Sequence, residues 1–405
     1  MDFEKLLAKD APPAARKWGG FPKYNFVGGH NDPETVPVAA LISSSERALE
    51  RNGRALATYN LNSGPLGYRE LRRFVTEKLR ATRGIDVSID QVLITTGSMQ
   101  GIHLLNQLLI EPGDTVITEL FTFADALASI RRRGGRVVGV PLDDHGLRSD
   151  RLAQTLADLR QSGITPKYLY TIPTLQNPTG SVLSLERRRE VLRLCRDYGV
   201  PILEDECYAD LLWEGDGPSP LKALDDSNLV LHIGSFSKSL APALRVGYFV
   251  APWEVMSRLI ACKSDGGSGA LEQIVVADYG RRHFASHTDE LRQALKSKLA
   301  SMVAALNMHF GTAAEFREPP GGMFIWVRFP SRVDTAQLFQ PCLDEGVAFN
   351  PGSEWSTDPS AAKNYIRLCF AYPSEEEIHE GIARLAAVFR RETGIPPRSA
   401  NVAHE

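Results

Sequence analysis

From about residue 91, short β-branched or apolar runs alternate with helix-length segments, and that alternation predicts βαβ units around a mostly parallel sheet. The predicted strands are Val92–Thr95, Thr115–Glu119, Arg136–Val140, Tyr168–Ile172, Val200–Glu204, Val230–Gly234 and Val246–Val250. Seven such runs make one large α/β layer. Between them the helical period is plain: Ile102, Leu105, Leu108 and Leu109 share one face of a helix that starts near Ser98 and stops at Glu111-Pro112-Gly113. The first fifty residues carry turn formers instead, at Pro12-Pro13, Gly19-Gly20 and Gly28-Gly29. They read as an arm laid over another part of the molecule.

Past about residue 283 a long helical pattern runs to His309, followed by the strand-like stretch Gly321 to Phe329. A helix near 334–345, a strand over Tyr365–Phe370 and a last helix from Ser374 to Arg391 complete the chain. This α+β order differs from what precedes it. The division it predicts is an N-terminal arm over 1–50 that contributes to a small domain, a large domain over 51–305 and a small C-terminal domain over 306–405.

The length of 405 residues suits two or three domains with full cores. With 46 basic against 49 acidic side chains, the formal charge of −3 leaves no electrostatic footprint for nucleic acid or an acidic membrane. Cys195, Cys207, Cys262, Cys342 and Cys369 are scattered, odd in number and lack a C-x-x-C pair, which argues for reduced thiols and against a zinc site or a disulfide framework. The N-terminal stretch has no basic region followed by an apolar one, and no run reaches the roughly 18 apolar residues of a membrane span. The expectation is a cytoplasmic protein with no metal site. P-loop, H-E-x-x-H and G-x-S-x-G patterns are missing as well.

Parallel sheets bind ligands beyond the carboxyl ends of their strands, so the residues that follow each run are the candidates. Lys238 lies in Gly234-Ser-Phe-Ser-Lys238, with Ser235 and Ser237 before it and Arg245 seven residues after it. Hydroxyls and a guanidinium around an amine suit an anchored phosphate. In Thr95-Thr-Gly97-Ser98-Met99-Gln100 a strand turns into a helix, whose free N–H groups favour an anion; an ordinary helix cap accounts for Ser98 equally well. Glu204-Asp205-Glu206-Cys207-Tyr208 ends another strand in three carboxylates, and Asn177-Pro-Thr-Gly180 follows a fourth. Taken singly these are a solvated strand end and a turn.

Together, and in this order, they resemble the active-site set of the fold-type I pyridoxal-phosphate enzymes, in particular the class I/II aminotransferases, over a stretch from about Phe26 to the C-terminal helix. The resemblance implies a PLP-binding large domain with Lys238 covalently joined to the cofactor and Asp205 paired with its pyridine nitrogen. Asn177 and Tyr208 would meet the phenolic oxygen, and Ser98, Met99, Gln100, Ser235, Ser237 and Arg245 would surround the phosphate. Tyr59 is similar to the residue that reaches the phosphate of a neighbouring subunit, which implies a homodimer with shared sites. Arg367 looks like the clamp for the substrate α-carboxylate, with Asn177, Gly28 and Gly29 nearby. Where the family usually has E-x-P-[ST]-Y, this chain has Glu119-Leu-Phe-Thr-Phe123, so Phe123 takes the ring-stacking position without a hydroxyl and Phe121 replaces proline.

The reaction implied is transfer of an amino group from an α-amino acid to a 2-oxo acid by a ping-pong cycle. Lys238, Asp205 and Tyr208 are the catalytic set. The same residues serve PLP-dependent eliminations, decarboxylations and cyclisation of S-adenosylmethionine, which form the alternative. A PLP-binding regulatory module is a more remote one, since it needs a DNA-reading domain ahead of an arm that here starts by Tyr24.

Overall fold

The computed structural model describes residues 1–8, 11, 14, 15, 17–215 and 217–396. Pro12 and Pro13 of the arm lie outside the described residues, as does the end of the chain from 397 onward. No described helix is long and apolar enough to cross a membrane.

Seven strands form the large sheet: β1 (Val92–Thr95), β2 (Thr115–Glu119), β3 (Arg136–Val140), β4 (Leu169–Thr171), β5 (Ile202–Asp205), β6 (Val230–Ser235) and β7 (Gly247–Val250). Their order is β1-β7-β6-β5-β4-β2-β3. β7 runs antiparallel to both its neighbours, and the remaining pairs are parallel. The strand interiors are buried on both faces, apart from the edge strand β3, as expected of a sheet covered by helices. The reversed strand has a direct consequence for chemistry. Gly247, the first residue of β7, lies in register with Thr95 at the end of β1 and Ser235 at the end of β6. The segments after β1 and β6 and the segment before β7 therefore meet at one edge.

The long C-terminal helix pattern begins earlier than expected: the helix is Ala270–Phe310, 41 residues, and not one starting near 283. Its first turns bury Ile274, Val275, Val276, Ala277, Tyr279 and Gly280 almost consecutively, so no polar face marks the period from which a helix is read. The β-branched Ile274-Val275-Val276 further mimics a strand.

A second, four-stranded antiparallel sheet is built from β8 (Glu315–Phe316), β9 (Phe324–Arg328), β10 (Asn350–Pro351) and β11 (Tyr365–Cys369), in the order β8-β9-β11-β10. The arm joins this part of the chain. Its residues Tyr24–Asn25 pair in parallel with Val347–Ala348, and the Cys369 N–H donates to the Phe26 carbonyl at 2.9 Å. The last helix, Glu375–Thr393, starts on a capping box between Ser374 and Glu377 and buries Ile378, Ile382, Leu385 and Phe389.

Candidate active site

Just past β6 the chain folds into a hydroxyl-lined turn, in which Ser235 Oγ accepts from Ser237 N at 3.1 Å and donates to Ser237 Oγ at 2.9 Å. Arg245 enters β7 from the left-handed region, at φ 53°, a costly conformation for a side chain with a Cβ. Three bonds hold it: Nη1 donates to Ser237 Oγ (3.4 Å) and Pro242 O (3.0 Å), and Nη2 donates to Thr96 O (3.2 Å). The guanidinium lies so close to Gly97, φ 73°, that any Cβ there would collide with it. Glycine is required at the start of helix Ser98–Leu109. Ser98, Met99, Ser235, Ser237 and Arg245 thus line one end of a cavity of about 380 Å³.

Gln100 is a correction to this set. Its N–H is spent on Gly97 O at 3.3 Å, its Oε1 accepts from Thr96 N at 2.9 Å, and its Nε2 donates to the Asp265 carboxylate. The helical turn carries its side chain into the neighbouring groove with His103 and Lys263. Tyr59, expected to serve a neighbouring subunit, does not line this chain's own cavity. It is 88% exposed and starts a segment in which Asn60, Leu61 and Asn62 are all left-handed. The Gly266–Gly269 segment beside it is a loop tied down by Ser268, whose Oγ accepts from Thr96 Oγ1 at 3.1 Å.

Lys238 Nζ donates to the Gly29 carbonyl at 2.9 Å. Burial lowers its pKa, and Arg367 and Arg245 lower it further, so the amine loses its proton more readily than an exposed lysine. A Cβ on Gly29 would press on that amine. Asp205, at the end of β5, is almost fully buried. It accepts from Tyr170 OH at 2.9 Å and Cys207 N at 3.1 Å, and no cation among the described residues pairs with it. Burial raises its pKa against those two bonds.

The opposite wall is a chain of three side chains. Tyr208 OH accepts from Asn177 Nδ2 at 3.2 Å, and Asn177 Oδ1 accepts from Arg367 Nη1 at 3.0 Å. Arg367 Nη2 also donates to Gly28 O at 2.9 Å and Asn350 Oδ1 at 2.7 Å. Its guanidinium is sandwiched between the rings of Trp355 and Phe324, with centroids at 3.7 and 4.0 Å. Burial pushes its pKa down to about 10. Gly28, Gly29, Phe123, Asp205, Lys238 and Arg367 all face the same space.

Sequence reasoning missed four supporting residues. Asn350, Trp355 and Phe324 fix Arg367; the antiparallel pairing of β9, β10 and β11 brings Phe324 and Asn350 to it, and the short helix Gly352–Trp355 after β10 brings Trp355. Glu119 is the fourth: buried, it accepts from Thr171 Oγ1 at 2.6 Å, Ile172 N at 3.2 Å and Gln176 Nε2 at 3.0 Å. Gln176 in turn donates to Phe121 O at 2.7 Å and accepts from Thr179 N at 2.9 Å. The signal was present in the glutamate that opens Glu119-Leu-Phe-Thr-Phe123.

A buried carboxylate with no cation, an amine of lowered pKa and a cradle of N–H, hydroxyl and guanidinium groups fit a phosphorylated, protonated heteroaromatic ring. Fold and cavity together define a fold-type I pyridoxal-phosphate enzyme. The chain belongs to the aminotransferase class I and II family, whose sequence pattern matches residues 29–385. It is 32% identical over 371 residues to aromatic-amino-acid aminotransferase 1 of Thermococcus litoralis, covering 91% of this chain and 88% of that one. It superposes with a TM-score of 0.84 on LysN, the α-aminoadipate aminotransferase of Thermus thermophilus complexed with N-(5'-phosphopyridoxyl)-L-leucine, at 30% identity, covering 91% of this chain and 92% of that one. The HTH-type transcriptional regulator YdfD of Bacillus subtilis is 33% identical over 329 residues, a match that covers 80% of this chain and 66% of the regulator. The protein is a pyridoxal-phosphate-dependent aminotransferase acting on amino acids and 2-oxo acids.

Proposed function

We propose that Lys238 is the residue that carries the cofactor and moves the proton, in a ping-pong transfer of an amino group from an α-amino acid to a 2-oxo acid. The observation that carries this reading is the convergence of Lys238, Asp205 and Arg367 on one cavity. When bound, pyridoxal phosphate supplies an electron sink for the electron pair of the broken Cα–H bond. The rest is done by the chain. The Asp205 carboxylate holds the proton on the ring nitrogen, where a buried anion without a cation of its own gains most from a positive neighbour. Asn177 and Tyr208 would donate to the ring oxygen, and Phe123, which lines the same cavity, would stack on the ring.

Ser98, Met99, Ser235, Ser237 and Arg245 would hold the phosphate. Arg367 takes the α-carboxylate on its fork, in the company of Asn177, Gly28 and Gly29, and so fixes which bond stands across the ring. Lys238, once freed, is an amine of lowered pKa able to take the Cα proton and give it back at the cofactor carbon.

The active form is proposed to be a cytoplasmic homodimer of chains divided into an arm (1–50), a large domain (51–305) and a small domain (306–405). Val38, Ile42 and Leu49 expose an apolar stripe on helix Val38–Asn52, and Leu56, Tyr59 and Leu271 are exposed as well. An unpartnered stripe of this kind supports a subunit contact, and Tyr59 would cross it to the partner's phosphate.

The test is spectroscopic. The visible band of the holoprotein is expected to bleach when an amino acid is added without acceptor, and to return when a 2-oxo acid follows. Lys238→Ala is expected to bind cofactor non-covalently and to lose turnover; retained turnover would overturn the assignment.

A further inference from the structure

Gly28 and Gly29 meet Arg367 and Lys238 through carbonyl oxygens, and the arm is anchored on both sides of them, before by the pairing of Tyr24–Asn25 with Val347–Ala348 and after by the contacts that follow. Two residues onward, Asn31 Nδ2 donates to the Leu240 and Lys238 carbonyls at 3.2 and 3.4 Å. At Asp32 the arm meets the long helix: Oδ2 lies 2.5 Å from Lys298 Nζ, while Oδ1 accepts from Glu34 N at 3.0 Å and caps the turn Pro33–Thr35. Lys298 is buried, and its ammonium makes two further bonds, to Ala371 O at 3.0 Å and Pro373 O at 2.7 Å. Those carbonyls come directly after β11, the strand that carries Arg367. One ammonium therefore ties the arm, the long helix and the exit of the Arg367 strand together.

We propose that Asp32 and Lys298 form a clasp that sets the Gly28–Gly29 carbonyls against Arg367 and Lys238, and are positioning residues for binding of the substrate α-carboxylate. This rests on the reading of Arg367 given above. Three acceptors on one ammonium leave it no slack. A buried charge that loses its partner stays uncompensated and shifts its surroundings, and here those surroundings are the two segments that flank the carboxylate subsite.

The experiment uses the holoenzyme and Asp32→Asn, Lys298→Met and Lys298→Arg variants. The half-reaction is followed with an amino acid and with the primary amine that lacks its carboxylate. Expected for Asp32→Asn and Lys298→Met is about a tenfold rise in the concentration of amino acid needed for half-maximal rate, with a much smaller change in the saturating rate. The carboxylate-free amine should react as with the unmodified protein. Lys298→Arg, which keeps the charge opposite Asp32, should recover most of the loss. Asp32→Asn keeps the side-chain volume and the bond to Glu34 N, so it reports even if Lys298→Met does not fold. Equal losses for amino acid and amine, or a fall in thermal stability with no change in half-saturation, would overturn the clasp. A parent protein whose spectrum ignores every amino acid would instead remove the reading of the site itself, and the clasp with it.

Discussion

Arg367 Nη1 donates to Asn177 Oδ1 at 3.0 Å across 190 positions of sequence. Through that bond the group assigned to the substrate carboxylate and the group assigned to the cofactor ring share one side chain. Asn177 meets Arg367 through Oδ1 and Tyr208 through Nδ2, which keeps one amide proton for the ring oxygen.

Lysine cannot reproduce the fork of Arg367, which reaches Asn177, Gly28 and Asn350 at once. Arg367→Lys is expected to lower kcat/KM for amino acids by roughly 10²-fold, the scale of losing a charge-assisted bidentate contact of about 3 kcal/mol. Single-turnover kinetics with the cofactor content measured alongside would check it, since cofactor retention should be unchanged.

Asp205→Asn keeps the shape and the bonds to Tyr170 OH and Cys207 N within reach, but removes the charge. Turnover is expected to fall by roughly 10²-fold or more, as for other buried electrostatic partners of a reacting group. The ultraviolet-visible titration of the bound cofactor should show its ring nitrogen losing the proton at lower pH than in the parent. An unchanged titration would remove Asp205 from that role.

Glu119 has its pKa raised from 4.5 to about 7 by burial, against the bonds from Thr171, Gln176 and Ile172. Because the folded value lies above the unfolded one, this group contributes stability that is complete below pH 4.5 and lost as pH rises through about 7. Glu119→Gln is expected to lose that dependence, so that the stability difference between parent and variant changes by on the order of 3 kcal/mol between pH 4 and 8. Urea unfolding at the two pH values measures it.

Tyr59 is 88% exposed in the single chain. If it serves the phosphate of a partner subunit, Tyr59→Ala should weaken cofactor retention by about tenfold, the worth of a hydrogen bond to a charged group. Mixing Tyr59→Ala and Lys238→Ala chains at limiting cofactor should then restore about a quarter of parental activity, because random pairing leaves one intact site in half of the dimers. No recovery on mixing would place Tyr59 outside the site.

The strands of the large sheet were legible because each is a short apolar run between turn signals, a pattern set by burial on both faces and independent of order in space. The candidates for the site stood out for a related reason: Lys238, Asp205, Asn177 and Arg245, which line one cavity, each sit within a few residues of a strand end, where the local sequence itself is unusual. Local pattern failed where burial was not one-sided. The first turns of helix Ala270–Phe310 have no polar face, and Gln100, two helical positions after Ser98, points into the neighbouring groove.

Sequence by itself thus determined the α/β order and the family, because these depend on residue type and near spacing. Only the tertiary structure decided which way β7 runs, and hence that Arg245 meets Gly97 and Ser237. It alone enclosed Arg367 between Trp355 and Phe324, tied Glu119 to Gln176 and set Asp32 on Lys298. Apart from Arg245 and Ser237, eight positions apart, those contacts join residues more than ten positions apart, most of them by far. Their existence follows from strand register and helix packing, which no local run of residues encodes.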